Sequence, residues 1–205
     1  MKTVKAKKNT LELKTPTREL VQEYVEKFNS SERYRVESQA MTSFCRAFPK
    51  NEKLEDILLN VSMVNALYGA KVYSPFEMSK HIQRLQIDTL LQSKDLSVVG
   101  KIAAGHGIVH KKTGKEICYY SFATKYCSRY DHETYPVYDK FVHKLLVAYQ
   151  KKDEFSSFVE GDLKSYEIFV KVASDFRQKY SLTRCSLREI DNFLWLYGKE
   201  VFPNG

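Results

Sequence analysis

The stretch Tyr119–Phe141, YYSFATKYCSRYDHETYPVYDKF, sets eight aromatic residues around Lys125 and Asp139. An ε-amine among aromatic side chains loses hydration, and nearby cations disfavour its protonated form. Both effects raise the share of neutral, nucleophilic amine near pH 7. Asp139 follows Pro136-Val137-Tyr138 at a helix start, where a carboxylate is a natural cap. The same pair also has a plain structural reading, a snorkelling lysine and a capping aspartate.

The surroundings of this pair are basic. Between Val99 and Lys152, ten Lys or Arg stand against Glu116, Asp131, Glu133 and Asp139, which places +6 of the chain's +8 there. Such a patch suits a phosphate backbone, whose counterions lysine and arginine release. Lys111, Lys112, Lys115 and Arg129 are the residues expected to touch phosphates. Other constellations carry less chemistry. His106 and His110 are four apart, but Gly107 between them breaks a rigid helical face and no third ligand follows at zinc spacing, so no metal is expected. Asp131-His132-Glu133 reads as a surface turn and Cys127 as a core residue.

The elements that must hold these groups are helical. Thr15-Pro16-Thr17-Arg18-Glu19 is a helix start, followed by the stripe Leu20, Val21, Tyr24, Val25 and Phe28. Further stripes run over 36–48, 54–67, 75–85 and 96–102, closed by Pro49, Gly69 and the Gly105-His106-Gly107 break. Residues 108–118 read as a small β-hairpin or extended loop. Helices resume over 119–130, 141–149, 163–176 and 187–197. The pattern predicts an all-α fold of about nine helices, with at most a small β-hairpin near 108–118. Residues 1–14, net +4, form a basic tail, and 15–205 a single helical domain.

Whole-chain properties agree. The 205 residues are 43% hydrophobic and 28% charged, the balance of a globular protein rather than a disordered one. Eight glycines and five prolines are too few for a turn-rich β-sandwich. No apolar run approaches the roughly 18 residues of a membrane span, so no membrane association is expected. The N-terminal lysines have no apolar segment behind them to make a secretory signal. Four scattered cysteines without a CxxC pair suit a reduced, cytoplasmic compartment.

A lysine at the start of one helix, then a turn, then P-V-x-D at the head of the next, resembles the helix-hairpin-helix DNA glycosylase superfamily, in its 8-oxoguanine glycosylase-like branch. The resemblance covers about residues 50–200, and its specific part is some twenty residues. It implies an all-α, two-lobed fold acting as a monomer on double-stranded DNA, near the nucleoid, without a cofactor. Lys125 would attack the sugar of an extruded damaged or modified nucleotide, and Asp139 would assist. The run Leu58–Asn65 is similar to the helix end from which the family inserts a polar residue into DNA, which assigns Asn65. Tyr126, Phe193 and Trp195 would line the base pocket. Ser121-Phe122-Ala123-Thr124 stands where the family normally carries Gly-x-Gly. The Lys-to-Asp spacing is shorter than usual, and the four-cysteine iron–sulfur loop of some members is absent. Two other readings fit the same residues: a nucleic-acid-binding module without catalysis, and a helical interaction protein whose basic charge is incidental.

Overall fold

The computed structural model describes residues 13–105, 109 and 114–203. The chain is all-α, with 67% of the described residues helical. Its helices are α1 (Arg18–Ser30), α2 (Glu32–Ala47), α3 (Leu54–Tyr68), α4 (Pro75–Leu85), α5 (Asp88–Gln92), α6 (Ser97–Ala103), α7 (Tyr120–Ser128), α8 (Lys140–Asp153), α9 (Tyr166–Lys179) and α10 (Leu187–Val201), with a 3-10 turn over Glu160–Lys164. One isolated antiparallel bridge, Val109 to Glu116, is the extended pairing among the described residues. It falls where the hairpin was expected. The helix that the pattern did not announce is α5, a five-residue turn too short to show a period.

Local chemistry explains the boundaries. Thr17 caps α1 by accepting from the Leu20 amide at 3.2 Å. Ser186 and Glu189 form a reciprocal capping box at the head of α10, at 3.2 and 2.7 Å. Gly69 ends α3 with φ 56°, a left-handed conformation that glycine adopts without steric cost.

Helix α10 packs against both α1 and α8, so the first and last helices lie together, while α3, α4, α6 and α7 form a second group. One continuous apolar core runs through both. Leu13 and Lys14, placed by the sequence reading in a basic tail, belong to the packed structure. Leu13 is buried. The Lys14 amide donates to Tyr197 Oη at 2.8 Å, and its carbonyl accepts from Tyr149 Oη at 2.7 Å. Residues 1–12 lie outside the described residues.

Gly198 lets α10 approach α8. A Cβ there would lie 2.9 Å from the Phe141 carbonyl oxygen and 3.1 Å from its carbon. Backbone cannot swing aside as a flexible side chain can. Gly198→Ala is therefore expected to lose about 1–3 kcal/mol by overpacking, read as a drop of several degrees in the melting temperature; an unchanged melt would show that the helices part freely.

Candidate active site: a lysine and a carboxylate in an aromatic cavity

Helix α7 carries the lysine. Eight of its nine residues are buried, so it is a central helix packed on all sides rather than an amphipathic one. Lys125 lies in its last turn, not at its start as the sequence reading had it. The helix begins later and ends sooner than the aromatic run suggested, because Tyr119 is tied to the Ala103 carbonyl at 2.8 Å. Asp139 is the N-cap of α8, where its Oδ1 accepts from the Phe141 amide at 2.9 Å. Its Oδ2 lies 3.5 Å from Lys125 Nζ, which also donates to the Tyr68 carbonyl at 3.3 Å. Both side chains are largely buried, at 8% and 16% exposure. Burial lowers the Lys125 pKa, and the Asp139 charge opposes that shift without cancelling it. The amine is thus moved toward its neutral form, with a carboxylate beside it.

Both residues line one cavity of about 160 Å³, an order of magnitude above the roughly 10–15 Å³ that one water needs. Phe28, Tyr34, Tyr68 and Trp195 supply aromatic walls. Tyr34 stacks on Phe28 at 5.2 Å and meets Trp195 edge-on at 5.2 Å, while the Lys199 ammonium sits 4.4 Å from the Trp195 ring centre. The polar lining comes from Ser38 on α2, His132 before α8, and Arg188, Asp191 and Asn192 on α10. Asp191 Oδ2 accepts from the Val137 amide at 3.0 Å. Burial, opposed by that amide and by Arg188, pushes the Asp191 pKa up to about 7. Burial and the Arg188 charge lower His132 to about 4, so the ring is neutral at pH 7.

The other expected site residues separate clearly. Trp195 lines the cavity. Phe193, two positions on along α10 toward its start, is fully buried against Tyr24 and Tyr197 and faces the core instead. Tyr126 is fully buried, its hydroxyl donating to Asn51 Oδ1 at 2.6 Å; one residue past Lys125 on a helix, it points elsewhere. Asn65, assigned to DNA insertion, is engaged at home. It donates to the Val72 carbonyl at 3.2 Å and accepts from the Val72 amide at 2.8 Å, closing the loop after α3.

Arg129, expected on a phosphate face, is also inside. Its guanidinium lies 4.4 and 4.2 Å from the Tyr126 and Tyr130 ring centres and donates to Asn60 Oδ1 and Tyr130 Oη. Aromatic stacking and a neutral amide replace water around it. Arg129→Ala would leave the buried Asn60 Oδ1 without its donor, and is expected to lower stability by about 1–3 kcal/mol. An unfolding curve unchanged in that variant would return Arg129 to the surface role. Lys115 is exposed. Lys111, Lys112, His106 and His110 lie outside the described residues. Among the described residues no cluster of three metal-ligating side chains is found, and no helix is long and apolar enough to cross a membrane.

Sequence reasoning missed His132, Arg188, Asp191, Phe28 and Tyr34. A signal for part of this was present in α10: Arg188, Asp191 and Trp195 fall at i, i+3 and i+7, one helical face.

Fold and site together define an all-helical protein with a desolvated lysine and a capping carboxylate in an aromatic-walled cavity. The chain belongs to the HI_0787_N family, described as an N-terminal domain, which it matches over residues 20–135. It is also similar to a Haemophilus influenzae protein described as uncharacterized, 37% identical over 154 residues that cover 73% of this chain and 70% of the relative. No solved structure matches. The family segment includes Lys125 and stops before Asp139 and α10.

Proposed function

We propose that the protein is a DNA glycosylase that excises a damaged or modified base, with Lys125 as nucleophile and Asp139 as its charged partner. The observation that carries this reading is the shared cavity: an amine shifted toward neutrality lies 3.5 Å from a carboxylate, under aromatic walls. A base buried in a duplex must leave the stack to be reached, and it then needs stacking partners and polar groups for its edges. Trp195, Tyr34 and Tyr68 supply the first, and Asn192 and Asp191 the second. The formal net charge of +8 favours a polyanion, and double-stranded DNA is the partner that follows, engaged by a monomer inside the cell.

Two measurements test the reading in order. Binding to duplex DNA should weaken steeply as salt rises, because phosphate contacts release counterions. A flat salt response would favour a helical interaction protein. Incubation with duplexes carrying oxidised, alkylated or deaminated bases should then release one of them. Tight, salt-dependent binding without release from any would mark a binder that lacks catalysis.

A further inference from the structure

Arg188 is the charge in the cavity that the lysine chemistry leaves without a task. Its guanidinium is fixed from two sides. One Nη donates to Ser38 Oγ on α2 at 2.7 Å, and the other donates to His132 Nε2. Since Nε2 accepts, the His132 proton sits on Nδ1 and is donated to Ser128 Oγ at 2.9 Å. Two separate segments of chain, α2 and the stretch from Ser128 to His132, thus hold one cation still. A long side chain gives up rotamer freedom for that, and a preorganised fork is what oxyanion recognition uses.

The guanidinium also lacks a counter-charge. Among the described residues no carboxylate lies within ion-pair distance of it. Glu37, which lines the same cavity, is engaged by Arg33 at 2.8 Å. Asp139 is turned to Lys125. Asp191, three residues along α10, gives one oxygen to the Val137 amide, and burial holds its carboxyl toward the neutral form. Two of the five guanidinium N–H groups are taken, and among the described residues the others have no partner. A partly desolvated cation with free donors lowers its free energy by meeting an anion.

We infer that Arg188, held by Ser38 and His132, binds a phosphate oxygen of the nucleotide that enters the cavity. The inference rests on the reading of the cavity as a nucleotide site. It assigns Arg188 to the phosphate rather than to the base, and makes Ser38 and His132 its positioning residues.

Trp195 is the chain's one tryptophan and lines the cavity, so its fluorescence reports occupancy. Three probes are titrated: the four ordinary deoxynucleosides, their 5′-monophosphates, and a duplex bearing a tetrahydrofuran abasic analogue. The monophosphates are expected to bind at least about tenfold more tightly than the nucleosides, and Arg188→Gln to bring the two within about twofold. If the phosphate comes from a continuous strand rather than a free nucleotide, the Arg188 dependence appears with the duplex alone, which equally supports the inference. Ser38→Ala, which loosens Arg188 without removing it, should cut the ratio of monophosphate to nucleoside affinity by about threefold. It serves where Arg188→Gln fails to fold. Equal binding of nucleoside and monophosphate, with duplex affinity indifferent to Arg188, overturns the inference and leaves the nucleotide site standing. Arg188→Gln weakening every probe alike has the same force. No fluorescence response to any probe sinks both.

Discussion

Lys125→Gln is expected to abolish the covalent protein–DNA adduct that borohydride traps from wild-type protein and a susceptible duplex, and to slow base release by on the order of 10³-fold or more. In the proposed reaction the Nζ lone pair attacks the sugar C1′ as the glycosidic bond breaks, and the base leaves with that bonding pair and takes up a proton. Loss of the amine proton and opening of the sugar ring leave a protein–sugar imine, which hydride reduces to a stable amine. Only neutral Nζ has the lone pair. Burial lowers the Lys125 pKa below its ordinary 10.5, so the single-turnover rate should rise with pH and level off below that value. Stability has the same sign. Between the lowered native pKa and 10.5 the unfolded chain binds more protons than the folded one, so stability rises with pH across that window. A desolvated lysine is also costly to the fold. Lys125→Met should therefore lose the adduct, and combined with Asp139→Asn, which removes the carboxylate it would leave unpartnered, should do so with no loss of melting temperature, which sets a functional lysine apart from a structural one. Base release undiminished in Lys125→Gln would overturn the nucleophile assignment and leave Asp139 activating water.

The parts of the molecule that read well from sequence are those whose signals are local. The stripe of Leu20, Val21 and Tyr24, the stripe that opens at residue 75 and the Gly69 stop each depend on neighbours within a turn or two, and each lies where its spacing predicts. Lys125 and Asp139 were legible because aromatic density and a helix-start carboxylate are also local. Their 3.5 Å approach was not: it depends on how α7 and α8 are joined and on Thr124, whose hydroxyl accepts from the Tyr138 amide at 3.1 Å to fold the intervening turn back. The misplaced residues fail for a related reason. Arg129 counts as +1 in any charge sum, yet two tyrosines and Asn60 draw it inward. Asn65 looks like an exposed helix-end amide until Val72, seven residues on, takes both its groups. Composition records charge and polarity but not which tertiary partner consumes them. The α10 face went unread because Phe193, Leu194 and Leu196 make that helix look apolar all round, while the cavity selects only Arg188, Asp191, Asn192 and Trp195.

Asp139→Asn separates the two duties of its side chain. As N-cap it accepts from the Phe141 amide at 2.9 Å, and asparagine caps a helix about as well as aspartate. Fold and DNA affinity should therefore survive the change within about 1 kcal/mol. The charge is lost. In the proposed reaction positive charge develops on the sugar as the glycosidic bond breaks, and an ionised carboxylate in a water-poor cavity stabilises it; the same group then shuttles protons during imine formation. Loss of either role costs roughly 10²–10⁴-fold, so single-turnover excision by Asp139→Asn should fall by at least about 10²-fold with binding unaffected. Asp139→Ala should add a stability loss of about 0.5–2 kcal/mol from the missing cap. Removing the carboxylate also withdraws the one interaction that opposes the downward shift of the lysine, so the amine of Asp139→Asn is neutral over a wider pH range than that of the wild type. The variant is thus slow even though its nucleophile is better prepared, and raising the pH does not rescue it. Excision by Asp139→Asn within a few-fold of wild type would show that Asp139 serves α8 alone.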